Sequence, residues 1–344
     1  MLVKRISILI MLIGLLVSFI GISYAVGGNQ KIVLKTGTLA PDGIGWAIFF
    51  KDSFLPAIEK ATNDKVTFDI YFGGIMGDDE DYIAKMRIDQ LQAGGVSAAG
   101  IVMACPELAV FELPFLFKSF DEVDYLRTKM EKRLNSIFEK NGFKLFILID
   151  QDFDIPWSTK REIRTPEDFA KSRFVTWCPP VEDDLLQSLG VSPIPVNVPE
   201  IPSHMRSKIC NAFLAPPIYL VGTQLYTVVK YVTPCKMRYS PGGIIVTMKV
   251  WNKISKESQK AIFEVLPELG REINDYGHKS NKECFRAMIK YGLKEVTLTA
   301  DEIEVLKKRT RPVWDSLVGK EYPRELLDET LGYLDEYRSK EALK

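Results

Sequence analysis

An alternation of short apolar segments with amphipathic segments begins at residue 31 and leaves few folds open. Residues 46–62 and 78–92 show the apolar spacing of amphipathic helices. Four other stretches are apolar throughout or alternate apolar with polar residues, which predicts β-strands: 31–39, 65–74, 96–104 and 143–149. Strands that alternate with helices build α/β folds with helices on both faces of the sheet. For 344 residues we expect two such lobes rather than one oversized sheet.

The first 25 residues have the pattern of an export signal. Lys4 and Arg5 precede an uncharged apolar run at 6–22, and Ser-Tyr-Ala follows at 23–25. We interpret residues 1–25 as a cleaved signal peptide, the alternative being an uncleaved membrane anchor. Two of the 45 basic residues lie in this leader, so the mature chain carries 43 basic against 45 acidic residues. An exported, periplasmic protein without basic surplus is predicted, and nucleic-acid binding is excluded.

The reactive residues do not form a catalytic or metal-binding pattern. The five cysteines contain no C-x-x-C pair and no metal spacing, so they are read as free thiols or as one disulfide with the rest free. The sequence lacks a G-x-S-x-G elbow, a phosphate-binding loop and an H-E-x-x-H helix, and it has only two histidines. We therefore predict that the protein is not an enzyme and binds no cofactor or metal.

The stretch TPEDFAKSRFVTW at 165–177 predicts a short capped helix that leads into a strand. Thr165 can cap the helix and the proline after it suits the first helical position. In a strand Arg173, Val175 and Trp177 share one face, so these three side chains point the same way. A further helix is predicted at 182–189, and a capping box formed by Thr299 and Glu302 predicts the start of a C-terminal helix.

Four segments together resemble one protein family. Their order and spacing are similar to those of the periplasmic solute-binding subunits of tripartite ATP-independent (TRAP) transporters, of the dicarboxylate-binding (DctP) type. The likeness spans roughly residues 32–319. The segments that carry it are YFGGIMGDDEDYIAKM, PELAVFELPFLFKSFDEVD, STKREIRTPEDFAKSRF and KYVTPCKMRYSPGGIIVTMKVWNKISKESQKAI.

The resemblance implies a two-lobed α/β periplasmic binding protein with mixed sheets, strands that cross between the lobes and a long helix that spans both. The first lobe is expected at 31–150 plus 241–280, the second at 151–240 plus 281–312, and a C-terminal helical segment at 313–344. A monomer of this kind closes on a small organic ligand and delivers it to sodium-coupled membrane subunits. The same fold could instead report ligand occupancy to a membrane receptor.

Two positions depart from the family pattern. The family's arginine that pairs with a ligand carboxylate aligns with Val175, unless the register slips so that Arg173 serves instead. A second family arginine aligns with Asp154. Because Asp150, Asp152 and Asp154 alternate, we expect them on one strand face, either at a solvated edge or with Asp154 pointing into the cleft.

The remaining candidates for the ligand site are mostly aromatic. Aromatic lining favours an apolar, neutral or cationic ligand over a simple dicarboxylate. With Asp154, Arg173 and Val175, the predicted ligand-binding residues are Trp46, Phe153, Trp157, Trp177, Asn211, Phe213 and Tyr239.

Overall fold

The computed structural model describes residues 31–43 and 45–343, and the predicted signal peptide lies outside these ranges. Ten strands within the described ranges form the sheets. They are β1 (Ile32–Thr38), β2 (Val66–Tyr71), β3 (Ala93–Val96), β4 (Phe143–Ser158), β5 (Val175–Thr176), β6 (Ile194–Pro195), β7 (Ala212–Ala215), β8 (Tyr231–Val232), β9 (Arg238–Thr247) and β10 (Lys294–Glu295).

Helices cover both faces of these strands. The α-helices are α1 (Trp46–Phe49), α2 (Leu55–Thr62), α3 (Asp79–Arg87), α4 (Ala98–Ala104), α5 (Phe120–Lys140), α6 (Pro166–Ala170), α7 (Val181–Ser188), α8 (Ile201–Arg206), α9 (Pro217–Gly222), α10 (Met248–Trp251), α11 (Lys256–Tyr291), α12 (Ala300–Thr310), α13 (Val313–Ser316) and α14 (Arg324–Glu341). A π-helical turn (Phe50–Phe54) joins α1 to α2, and 3₁₀ turns occupy Pro106–Glu112, Val198–Glu200 and Leu225–Thr227. Within the described ranges, no helix is long and apolar enough to cross a membrane.

The strand β4 belongs to both halves of the sheet. Its first part pairs antiparallel with β9, which also pairs with β3, and β1 lies parallel between β3 and β2. Its last four residues pair antiparallel with β7, and β8 lies on the other side and continues to β10. The fold is therefore a two-lobed mixed α/β structure whose strands β4 and β9 cross between the lobes, as the sequence predicts.

The helix α11 is long enough to lie along both lobes. It has 36 residues, begins at the Ser255 cap and ends where Gly292 adopts a left-handed conformation. Its buried face packs on β4 and on α2 in the first lobe, and on α9 in the second. A side chain at Gly277 would lie 3.4 Å from the carbonyl oxygen of Asp150, so a glycine lets helix and strand approach closely.

The apolar cores follow the two halves of the sheet. We call the half with β1, β2, β3, β9 and the first part of β4 the first sheet, and the half with β7, β8, β10 and the end of β4 the second sheet. Two apolar clusters cover the first sheet, one of which includes residues of α5, α13 and α14. Two others cover the second sheet, and one of these includes Leu306 of α12. The C-terminal segment thus packs on the first lobe after α12 has packed on the second. The lobe boundaries given above remain a prediction.

Local predictions differ in their outcome. Capping boxes begin α6 at Thr165 and α12 at Thr299, as predicted. The predicted strand at 96–104 is wrong, because Val96 ends β3 and α4 follows directly. A continuous apolar run does not separate a buried strand from a buried helix. Here the run contains Ala98, Ala99 and Ala104, which suit a helix, and almost all of α4 is buried.

Candidate functional site

A cleft of about 440 Å³ lies where the two lobes meet. The first lobe lines it with residues that follow β1 and end β3, which are adjacent parallel strands. The second lobe lines it with residues that follow β7 and with α9, and α11 runs along one side. Ligands of α/β proteins bind in the crevice outside the carboxyl ends of the strands, and this cleft has that position and a fitting size.

The cleft wall is mainly aromatic and apolar. Trp46, Trp177, Tyr219 and Tyr276 line it together with several prolines. Of the residues that the structure describes, Glu283 is the only charged one in the lining. The Nε1 of Trp46 is buried without a hydrogen-bond partner on the side of α11, where a side chain at Gly277 would lie 3.5 Å from it, so the ring and not this donor faces the cleft. The site can hold an apolar body, but the described part of its lining offers no cation to a carboxylate.

The two lobes touch across the mouth of the cleft. The backbone N–H of Val198, in the second lobe, donates to a carboxylate oxygen of Asp78, in the first, over 3.1 Å. Nearby, a side chain at Gly74 would come within 3.7 Å of Pro199. These contacts describe a closed arrangement in which the Asp78–Val198 hydrogen bond bridges the opening.

Of the ten predicted site residues, two line the cleft, namely Trp46 and Trp177. Trp177 follows β5, and its Nε1 donates to the carbonyl oxygen of Leu214 over 2.9 Å, which fixes the ring. The guanidinium of Arg238 lies over the other side of this ring, 5.3 Å from its centre. Trp177 therefore separates the cleft from the interior.

Three predicted residues lie in the core of the second lobe instead. Val175, Trp157 and Phe213 are all fully buried in one apolar cluster. Trp157 lies in the middle of the second sheet, opposite Phe213 on β7 and Val232 on β8, and its Nε1 donates to the carbonyl oxygen of Ala215 over 2.8 Å. Their aromatic and β-branched side chains serve packing, so the sequence overstated the aromatic lining.

Arg173 does not replace the family arginine in the cleft. Its guanidinium donates to the carbonyl oxygens of Ile209 and Lys208, each over 2.7 Å. The side chain of Asn211 is committed as well, because its Oδ1 accepts the backbone N–H of Arg173 over 2.9 Å. Both residues tie β5 to the segment before β7, and neither lines the cleft.

A bulge in β4 explains the placement of the acidic residues. The register against β9 shifts between Asp150 and Phe153, and Asp152 adopts a positive φ of 106°. The extra residue puts Asp150 and Asp154 on opposite faces, so the expectation of one shared face is wrong. Asp154 is buried rather than solvated or in the cleft, and one of its oxygens lies 2.6 Å from Nη2 of Arg238.

Asp150 faces the interior of the first lobe with Phe153 and Tyr239. Its carboxylate accepts hydrogen bonds from Arg127 over 2.7 Å and from the Tyr239 hydroxyl, and His278 Nε2 lies 3.0 Å away. Burial alone would raise the pKa of Asp150, but Arg127, His278 and Tyr239 together lower it below its usual value. Phe153 and Tyr239 pack against each other in the core, so they too lie away from the cleft.

Sequence reasoning missed several lining residues, among them Ser97, Gln151, Tyr219 and Tyr276. Ser97 was hidden by the strand prediction for 96–104. Its position immediately after a parallel strand is the signal that would have found it. Gln151 lies in the bulged part of β4, where its Oε1 accepts the backbone N–H of Ala98 over 3.2 Å.

The described residues contain no group of histidine, cysteine and acidic side chains suited to a metal ion. All five cysteines are free thiols, and Cys284 is one of the residues that line the cleft. His204 lies on an exposed turn of α8, and the ring of His278 stacks on Phe120 with the centres 3.6 Å apart.

Comparison with known proteins agrees with this architecture. The family described as bacterial extracellular solute-binding protein, family 7 (DctP), matches residues 42–321. The C4-dicarboxylate-binding protein DctB of Bacillus subtilis is 20% identical over 321 residues, 88% of this chain and 91% of that protein. The sugar acid binding protein of Advenella mimigardefordensis in complex with galactonate superposes with a TM-score of 0.81 at 19% identity, over 89% of this chain and all of that one. A TRAP periplasmic solute-binding protein of Haemophilus influenzae with bound L-gulonate gives 0.81 at 20% identity, over 89% and 99%.

Proposed function

The chain belongs to family 7 of the bacterial extracellular solute-binding proteins, and we propose that it captures an uncharged or cationic organic molecule and delivers it to the membrane subunits of a TRAP transporter. The family consists of binding proteins rather than enzymes. Export to the periplasm, sodium coupling and a monomeric state are parts of this proposal. They follow from the predicted signal peptide and from the family.

The single observation that carries the ligand class is the absence of a cation from the described lining of the cleft. Trp46, Trp177, Tyr219 and Tyr276 supply aromatic surface, and Glu283 supplies the one charge. Aromatic faces and a carboxylate attract a cationic group and repel an anion.

The arginines near the cleft are engaged elsewhere. Arg173 donates to two backbone carbonyls, Arg127 binds Asp150, and Arg238 lies behind Trp177 among carboxylates. A bidentate contact with a carboxylate is therefore not available without rearrangement. This sets the chain apart from the relatives with bound galactonate and L-gulonate, which are acids.

Thermal unfolding with a panel of solutes tests the ligand class. At 100 times its dissociation constant a ligand that binds only the folded protein stabilises it by about 2.7 kcal/mol. We expect millimolar succinate and galactonate to leave the melting temperature unchanged, and neutral or quaternary-ammonium solutes with an apolar body to raise it. Trp46→Ala, which removes the ring from the cleft wall, should weaken that effect.

Tight binding of succinate through Arg173 would contradict the proposed ligand class. If succinate binds in the micromolar range by calorimetry, and Arg173→Ala abolishes the binding while the exposed control Lys171→Ala does not, the protein is an ordinary carboxylate binder. Arg173 would then have to leave its two carbonyl partners and turn into the cleft.

A further inference from the structure

A fully buried arginine lies behind Trp177 with an excess of acidic partners. Arg238 donates through Nη1 to Oε2 of Glu112 and to Sγ of Cys178, the latter over 3.2 Å, and its Nη2 lies 2.6 Å from Asp154. Glu182 approaches from the N-terminal turn of α7 and is also buried. We call these five residues the Arg238 cluster.

The charges of the Arg238 cluster do not balance. One guanidinium faces the carboxyls of Glu112, Asp154 and Glu182, which gives a net charge of −2 if all three are ionised. Asp152, two residues before Asp154 on β4, adds to the negative potential. Uncompensated buried charge is strongly unfavourable, so protonation of one or more carboxyls is the least costly way to relieve it.

The three carboxyls differ in their hydrogen bonds. Oε2 of Glu182 accepts from the backbone N–H of Trp177 at 2.9 Å and of Cys178 at 3.0 Å, which favours its ionised form. Among the described residues, the Asp154 carboxyl has the ion pair with Arg238 but no hydrogen bond from a neutral donor, and Oε1 of Glu112 and Oε1 of Glu182 also lack a donor. Asp154 has the fewest donors and is therefore the first of the three to take a proton.

The cluster is assembled from both lobes. Glu112 ends a 3₁₀ turn that packs on the first sheet, whereas Cys178 and Glu182 belong to the second lobe. The Cys178 thiol donates to Glu112 over 3.3 Å and so joins the two lobes directly. Asp154 and Arg238 lie opposite each other on the crossing strands β4 and β9. Separation of the lobes would admit water to these carboxyls.

We propose that the Arg238 cluster is a proton-binding site of the closed protein, and that closure of the lobes takes up at least one proton. The part that concerns closure rests on the proposed binding function, whereas proton binding by the cluster does not. Burial raises the pKa of Glu112, Asp154 and Glu182 each to about 7, with Arg238 opposing the rise.

The sign of the pH dependence follows from this direction. A carboxyl whose pKa is raised in the closed state holds more protons there than when it is hydrated. Closure is thus weakened as the pH rises from the ordinary carboxyl pKa of about 4 to about 7, and is constant above. Each proton taken up makes the closure equilibrium change about tenfold per pH unit in this window.

Infrared spectroscopy of the full-length mature chain tests the proton directly. At neutral pH the wild type should show the carbonyl stretch of a protonated carboxyl, and Asp154→Asn or Glu112→Gln should each diminish it. Asp328→Asn, a change on the exposed face of α14, serves as the control and should leave the band intact. The two substitutions are separate, so one of them suffices if the other fails to fold.

Small-angle scattering of the ligand-free chain tests the link to closure. We expect the radius of gyration of the wild type to grow between about pH 5 and pH 7 and that of Asp154→Asn to grow less. A wild type without the protonated-carboxyl band, or a band unaffected by both cluster variants, overturns the proton site itself. A band without pH-dependent scattering overturns only the link to closure, and failure of every solute in the binding panel leaves the infrared result untouched.

Discussion

Replacement of Trp157 separates a core role from a ligand-binding role for the aromatic residues. The side chain is completely buried between β7 and β8, its Nε1 donates to the carbonyl oxygen of Ala215, and its ring lies 6.5 Å from that of Phe285. Trp46 offers the contrast, because it is only partly buried and lines the cleft.

The magnitude follows from this environment. Truncation of a buried tryptophan to alanine costs about 3–5 kcal/mol through lost transfer energy and the cavity left behind. That is a large part of the 5–15 kcal/mol by which proteins are typically stable, about two fifths when the middles of both ranges are compared. Trp157→Phe keeps most of the packing and should cost less, chiefly the hydrogen bond to Ala215 at about 0.5–1.5 kcal/mol.

Urea unfolding followed by circular dichroism measures both variants. We expect Trp157→Ala to lower the midpoint strongly with an unchanged slope, and Trp46→Ala to change the midpoint little while it weakens solute binding. The reasoning is refuted if Trp157→Ala unfolds like the wild type but no longer responds to a solute that stabilises the wild type. Trp157 would then be a cleft residue, and the packing of the second sheet would be misjudged.

Three other substitutions give further expectations. Val175→Arg places an unpaired guanidinium in the apolar core of the second lobe and should destabilise the fold by about 3–5 kcal/mol. We expect no gain in succinate affinity. Urea unfolding and calorimetry measure the two effects, with Val175→Ile as the control. Val198→Pro removes the backbone N–H that donates to Asp78, at the start of a 3₁₀ turn where proline fits. Small-angle scattering should then give a larger radius of gyration, whereas the control Val198→Ala keeps the donor and should leave it unchanged. Asp150 has a lowered pKa, so its contribution to stability is present above about pH 4 and is lost as the pH falls. Asp150→Asn should therefore be less stable at neutral pH, and its unfolding midpoint should fall less steeply than that of the wild type as the pH is lowered. An equally steep fall would contradict the role of Arg127.

The sequence predicts the fold better than the site because the fold is recorded in local patterns. Strand and helix periodicity and the caps at Thr165 and Thr299 involve neighbours in the chain, and they are correct where the pattern is strong. The site depends on pairings between distant segments. Nothing near Asp154 in the sequence indicates that Arg238 lies across the strand pair from it, and one inserted residue at Asp152 reverses which way the acids point.

Aromatic residues are a second case in which the sequence does not determine the position of a side chain. A tryptophan in a strand is equally compatible with a cleft wall and with the middle of a sheet, since both bury the ring. The resemblance to a family points to segments that border the cleft, and Trp46 and Trp177 of these segments do line it. It does not say which face of each segment is turned toward the cleft.

The order in which the strands appear along the chain has a consequence for biogenesis. In the first sheet β9 lies between β3 and β4, yet it comes last of the five in the sequence, and Thr247 at its end follows the whole of the second sheet except β10. The centre of the first sheet therefore stays open until more than two thirds of the chain has been made. For the export proposed above, this delay would keep the amino-terminal half from completing a stable sheet before the rest of the chain is made.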